Sequence, residues 1–457
     1  MYANINATEL SKMIHQKEIK PSEACAYYLA KMEKDHSAYH IFNSINEEAA
    51  IKRAEELDKM PITSETSPMF GIPVAVKDNI CTADMPTTCS SKMLQNYRPV
   101  FDATAVARLR EQGSLIIGKT NMDEFSLGLD SDHSFFGPAK NPFDENRSAD
   151  GAAVSVAVGS VPLSLGSDTG GSVRHPASVC GLVGYKPTYG VISRLGFIQA
   201  ASSLDQIGTF GRTVSDAVLL TSAICGHDPK DTLSDARFPL DFSQMGKFNV
   251  KGKKIGILKE YTRCEVMSAA KTYESLGAEV VYVSVPSLQY GQAVYDIILS
   301  AEASSSLAKF DGIRFGYRSE KDAEINSLYI NSRSEGFGLA VKKWIIMGTY
   351  LLSADNINGY YKKAYVIREM IRTELKTAFT GCDAMILPAV NESSNIPATL
   401  AGLPAISIPF GKDNDGLPVN VQIVGKQFDD ANLLGLAYAL ERETAANKTV
   451  IPSMETI

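Results

Sequence analysis

The sequence predicts an α/β fold: a large, mixed but mostly parallel β-sheet flanked by helices on both faces (α/β/α). Three observations lead there. Short apolar runs alternate with amphipathic stretches between residues 70 and 126, the alternation that builds parallel sheets from βα units. The small apolar run 151–165 suits a tightly packed helix followed by a strand. Further apolar runs at 254–258, 278–283, 384–387, 405–409 and 417–425 return the chain to the sheet, and a helix over 429–443 closes it.

In chain order, residues 7–33 read as two amphipathic helices. Thr8 is placed to cap the first, and Pro21-Ser22-Glu23 starts the second. A third helix, EEAAIKRAEELDKM, has the alternating charges of a solvated face. Residues 71–79 (GIPVAVKDN) form a buried strand that ends on Lys77, so its ammonium is drawn inward. A helix over 102–112 leads to the strand SLIIGKT and then to NMDEFSLG. The region 290–380 is mostly helical with charged faces. With no low-complexity linker or internal repeat, the expected organisation is a single domain over 1–457. It has an N-terminal helical cover (1–60), a core (65–225) and a helical annex (290–380).

Composition narrows the function class. Over 457 residues, 44% hydrophobic and 21% charged content leaves material for a sizeable core. A net charge of −7 argues against extensive direct phosphate binding. Seven scattered cysteines without a CxxC pair suit reduced thiols in a cytoplasmic protein. Six dispersed histidines supply no metal-ligand spacing, so no metal is expected.

The stretch Gly166–Ser172, GSDTGGS, carries the strongest chemical signal. Its small residues let backbone N–H groups approach a ligand, and Ser172 presents a hydroxyl beside them. An isolated GGS is more often a simple turn. Three nucleophile schemes are open. Ser172 with His175 lacks both the GxSxG elbow and an orienting acid in sequence. Cys180 has no neighbouring base and reads as a small buried hydrophobe. Ser172 with Lys77 requires a lysine made neutral by burial. Asp168 is suited to cap the small-residue turn, Arg174 and His175 to brace it, and Asp123-Glu124 to cap a helix.

The segments GIPVAVKDNI, GKTNMDEFSLG, GPAKNPFD, LGSDTGGSVRHPASVCGLVGYKPTYGVISR and SSLDQIGTFGRTVSDA, in that order, resemble the amidase signature family. FDGIRFGYR, SRSEGFGLAVKKWIIMGTYLLSA, YYKKAYVIR, LAGLPAISIPFG and GLPVNVQIVGKQFD bring the resemblance closest to the A subunits of glutamyl-tRNA(Gln)/aspartyl-tRNA(Asn) amidotransferases. It implies the amidase signature fold and a Ser-Ser-Lys triad. Ser172 is then the nucleophile, Lys77 the base and Ser148, 24 positions before the nucleophile, the bridge. Thr169, Gly170 and Gly171 supply the oxyanion hole, and Lys343, Arg174 and Asp168 are the substrate-binding candidates. The implied activity is hydrolysis of glutamine to supply ammonia to a B subunit. That partner uses ATP and Mg2+ to convert Glu-tRNA(Gln) or Asp-tRNA(Asn) to Gln-tRNA(Gln) or Asn-tRNA(Asn). A small C subunit completes a heterotrimer, and no cofactor belongs to this chain.

Three stretches depart from the family pattern. The glycine-rich segment before the small-residue helix is shortened to Asn146–Ala152, and Asp150 introduces a carboxylate near Lys77. An adjacent carboxylate favours the protonated lysine. The run LPAVNESSN is short and lacks the acidic residue that grips glutamine's α-amino group in the family. Lys342-Lys343 stands where the family has arginines, and Lys343 offers a point charge without the guanidinium fork. Two alternatives follow: a degenerate scaffold paralogue, or a stand-alone amidase for another small amide.

Overall fold

The computed structural model describes residues 2, 4–235, 245–321, 324–390 and 392–444. Thirteen strands are formed: β1 (Phe42–Ile45), β2 (Pro73–Lys77), β3 (Leu115–Thr120), β4 (Lys140–Asn141), β5 (Asp144–Ser148), β6 (Leu163–Asp168), β7 (Val183–Lys186), β8 (Gln206–Gly211), β9 (Lys254–Leu258), β10 (Glu279–Val283), β11 (Ala384–Pro388), β12 (Ala405–Lys412) and β13 (Pro418–Gly425). Eleven join one sheet in the order β1-β3-β2-β6-β8-β7-β12-β13-β11-β9-β10, while β4 and β5 make a separate hairpin. Parallel pairing holds in two blocks, β3-β2-β6 and β11-β9-β10. The strands between them pair antiparallel, as does β1 with β3. The sheet is large and mixed as expected. Its antiparallel middle follows in part from the short turn between β12 and β13, which permits only a hairpin.

Alternation along β11 shows why helices cover both faces. Ala384 and Ile386 pack in one cluster with Val266, Tyr273 and Leu433, whereas Met385 and Leu387 pack in another with Ile298, Ile371 and Leu375. Successive side chains point to opposite faces, so one strand needs two covering layers. The first set lies on the helices Cys264–Ser275 and Asp430–Glu443, the second on Gly291–Ser306 and Tyr361–Ala378. The annex 290–380 is thus one covering layer extended outward.

The N-terminal helices span Ala7–His15 and Pro21–Tyr39. Leu10, Ile14, Tyr28 and Met32 bury into the cluster that holds Val74, Ala75 and Val76 of β2. Pro21 begins the second helix as expected. The first is capped by Asn6 in a reciprocal arrangement with Glu9, not by Thr8. Thr8 lies inside the helix, and its N–H and hydroxyl both donate to Asp216, each at 3.0 Å. That bond ties the cover to the helix Val214–Ile224.

Glu441 tethers the same helix from the other end of the chain by accepting the Val214 N–H at 2.7 Å. Burial pushes the Glu441 carboxyl up to about 8, with Asp216 adding to the rise. A carboxyl raised in the fold contributes stability that is complete below its unfolded value, near 4.5, and is lost as pH rises through about 8. Urea-unfolding stability is therefore expected to fall between pH 5 and pH 8.5 by a Glu441-dependent amount on the order of 3 kcal/mol or less. Glu441→Gln, which keeps an acceptor for Val214, should flatten that dependence.

Candidate active site

β2 and β6 run parallel, with Val76 opposite Leu165, so their C-terminal ends emerge side by side. On its other edge β6 meets antiparallel β8. The site thus sits where pairing changes sense, the kind of position at which open α/β sheets leave a crevice. Lys77 ends β2, is 1% exposed, and brings its Nζ to 3.4 Å from the Ser167 carbonyl oxygen of β6.

Asp168 ends β6 and organises the loop that follows. Its carboxylate accepts the N–H groups of Gly171 (3.0 Å) and Val173 (3.1 Å). It also accepts Arg174 Nε (3.1 Å) and Nη2 (2.9 Å). Arg174 spends its remaining donors on Asn395 O (2.8 Å), Gln422 Oε1 (2.6 Å) and Thr399 Oγ1 (3.0 Å). Burial acts to raise the Asp168 carboxyl, but the charge and hydrogen bonds of Arg174 outweigh it and hold the group below its ordinary value. Arg174 and Asp168 are both 0% exposed. They are therefore not the substrate-binding residues the sequence suggested: every guanidinium donor is already used inside the protein. Their role is to brace the loop.

The braced loop presents Ser172, whose Oγ donates to Gly128 O at 3.1 Å. Gly171 adopts φ +128 and gives its N–H to Asp168. Of the three expected donors, Gly171 is thus committed elsewhere. Close packing explains the glycines. A Cβ on Gly170 would lie 2.2 Å from Tyr295 Oη, and one on Gly171 would lie 2.8 Å from the Asn395 side chain.

Among the described residues Ser148 makes no hydrogen bond to Lys77 or Ser172. It ends β5 on the hairpin, opposite Lys140, and lines a separate cleft of about 820 Å³ with Arg147, His175 and Arg263. Lys77 Nζ instead meets Asp150 Oδ2 at 2.6 Å, with both side chains almost fully buried. The bridge assigned to Ser148 is corrected accordingly, and the shortened segment supplies the reason. Two residues beyond Ser148 the chain already starts the helix Gly151–Ala157, whose N-cap is Asp150. One carboxylate oxygen takes the Ala152 N–H at 2.9 Å while the other faces Lys77. Burial raises the Asp150 carboxyl, and Lys77 opposes the rise.

The segment after β3 closes the remaining side. Phe125 and Ser126 hold φ of 53 and 58, a left-handed conformation that is uncommon outside glycine and concentrates at functional sites. Asn79 Nδ2 joins Ser126 Oγ (2.9 Å) and Ser167 Oγ (3.0 Å) in a buried polar network. Asp123 accepts the His133 N–H at 2.8 Å and Glu124 accepts the Gly338 N–H at 2.9 Å, so the acidic pair serves backbone groups. Among the described residues, no group of His, Cys, Asp and Glu is gathered closely enough to hold a metal ion.

A cleft of about 830 Å³ opens on the far side of this segment, lined by Asp123, Gly128, His133, Lys343 and Trp344. Gly128 therefore contacts both the cleft and Ser172. His175 lies 4.0 Å from Asp130, an acid the sequence spacing had concealed. The hydroxyl of Ser172 nevertheless goes to Gly128 O.

The family model described as Amidase matches residues 23–395 and 390–434. The chain belongs to the amidase family. It is 42% identical to the A subunit of the glutamyl-tRNA(Gln) amidotransferase of Caldanaerobacter subterraneus subsp. tengcongensis, over 96% of each chain. It is 44% identical to that of Lysinibacillus sphaericus, over 92% of each. The crystal structure of the A subunit of the Thermotoga maritima glutamyl-tRNA(Gln) amidotransferase superposes with a TM-score of 0.81 at 34% identity, covering 99% of this chain and 98% of that one. The peptide amidase of Stenotrophomonas maltophilia gives 0.83 at 26% identity, covering 97% of each.

Sequence reasoning about this amidase missed Tyr295, Asn395 and Gly128 as neighbours of the loop, because all three arrive from distant segments. Asn391, in the shortened run 387–395, lies outside the described residues. The brace is directly testable. Arg174→Met should leave Asp168 buried without its partner and lower unfolding stability by about 3–5 kcal/mol in urea titration. The double variant Asp168→Asn/Arg174→Met should recover part of that loss.

Proposed function

We propose that the chain is the glutamine-hydrolysing component of a tRNA-dependent amidotransferase, acting in the cytoplasm with B and C partner subunits. The observation that carries this reading is the braced Gly166–Ser172 loop, with Ser172 and Lys77 delivered by neighbouring strand ends. The full-length likeness to A subunits supports the choice of substrate class. In this reading Ser172 Oγ attacks the side-chain amide carbon of glutamine, and the Thr169 and Gly170 N–H groups receive the oxyanion. Lys77 in its neutral form accepts the serine proton. Collapse of the intermediate returns a proton to the leaving nitrogen and expels ammonia, and water then frees glutamate from the ester on Ser172. Substrate enters from the cleft beside Gly128, where Lys343 offers a cation for the substrate carboxylate. The released ammonia passes to the B subunit. There ATP and Mg2+ would activate the side-chain carboxylate of Glu-tRNA(Gln) or Asp-tRNA(Asn).

The annex supports a multi-component assembly. Leu339, Ile346, Tyr350, Val366 and Met370 are exposed on its helices, an apolar display that suits a partner surface. One observation favours a second reading, a scaffold with little amide hydrolysis: Lys77 is tied to a carboxylate and not to a bridging hydroxyl.

Ammonia release from glutamine by the reconstituted complex tests the main reading. Ser172→Ala and Lys77→Ala should each lower it about a thousandfold or more. A wild-type rate no greater than that of Ser172→Ala would select the scaffold reading.

A further inference from the structure

Asp150 is the group that distinguishes this site from a simple serine–lysine pair. Its Oδ2 lies 2.6 Å from Lys77 Nζ, and the two side chains are 1% and 2% exposed. Its other oxygen is fixed by the Ala152 N–H, so the carboxylate cannot swing away without uncapping the helix Gly151–Ala157. The remaining groups facing Lys77 do not offset this charge. β6 presents the Ser167 carbonyl oxygen, a neutral acceptor. The segment after β3 brings Asp123, a second acid whose charge acts on both Lys77 and Asp150 and which itself faces His133. The next acid on its own strand end, Asp78, is matched to Lys119 at 3.6 Å. The Asp168 carboxylate is matched to Arg174. Lys77 is thus surrounded by acceptors and acids.

We propose that Asp150 is a positioning residue that holds Lys77 in a buried ion pair and so acts as a brake on Ser172. The proposal rests on the reading of Ser172 and Lys77 as nucleophile and base. It assigns the trimmed 146–152 segment a regulatory consequence: the carboxylate occupies the position next to the lysine, and no serine hydroxyl contacts Lys77 among the described residues.

Labelling of Ser172 in the full-length chain by phenylmethanesulfonyl fluoride reads the brake without requiring glutamine. The Ser172 Oγ–S bond forms, the S–F bond breaks, fluoride leaves and the serine proton passes to Lys77 and then to solvent. Mass spectrometry follows the adduct as a function of pH. In the wild type the rate should rise with pH. Asp150→Asn keeps an acceptor for the Ala152 N–H and removes the charge. It should label at least about tenfold faster at pH 7, with the rising limb displaced downward by about one pH unit or more. Adding Lys77→Ala to that variant should abolish the gain, which a purely structural effect of Asp150 would not require.

A folded Asp150→Asn protein that labels no faster than wild type overturns the proposal. So does a wild-type rate that does not rise with pH, a measurement that needs no variant. Glutaminase assays on the reconstituted complex separate the two layers. Faster labelling without glutamine hydrolysis leaves the brake standing and removes glutamine as the substrate. Wild-type glutamine hydrolysis with no response to Asp150→Asn keeps the function and removes the brake.

Discussion

The buried pair of Asp168 and Arg174 is the constraint on which the site depends. Six residues apart in sequence, the two enclose the loop that carries Ser172. Two of the guanidinium hydrogen bonds close the pair, and the other three fix surrounding segments. Through Asn395 and Thr399 the pair locks the helix Glu392–Ala401, and through Gln422 it reaches β13. An ion pair removed from water is expensive unless its hydrogen-bonding capacity is filled. Here it is filled on the arginine side. The loop conformation follows: Asp168 takes the Gly171 and Val173 N–H groups, which turns the chain so that Ser172 faces Gly128.

The same economy of charge is absent one strand away. Lys77 and Asp150 also form a buried pair, yet among the described residues Asp150 takes only one backbone N–H and Lys77 only one carbonyl besides their mutual contact. The two pairs differ in what they can do. Arg174, with every guanidinium donor filled, serves as a fixed brace. Lysine and aspartate can exchange a proton when desolvated, so their pair is the one whose chemistry responds to its surroundings.

Much of this was legible in the residues. Apolar runs placed β2, β3, β6 and β9 to β13, because each pattern repeats with the period of its element, whereas β1, β4, β5, β7 and β8 were not foreseen. The loop Gly166–Ser172 and the inward lysine were visible for the same reason: small residues and an apolar strand are local signals. Thr8 shows the limit, since Asn6 and Glu9 formed a better reciprocal cap and freed Thr8 for Asp216. Ser148 and Arg174 show it at the site. Counting positions placed Ser148 correctly on the chain, but the shortened segment put a different side chain against the lysine. An arginine beside a nucleophile looks like a ligand until its partners, more than 200 residues away, are known.

The parallel contact between β2 and β6 has a kinetic meaning as well as a geometric one. Lys77 meets Ser167 across 90 residues of sequence, and Arg174 meets Gln422 across 248. Neither contact forms until large loops have closed, and that entropy precedes any reward from the site itself. Helices such as Pro21–Tyr39 need only their own neighbours to begin. The contacts that brace the loop Gly166–Ser172 are therefore among those with a large closure cost. The surroundings of Ser172 are complete only where the whole sheet is in register, so local secondary structure by itself does not make the site.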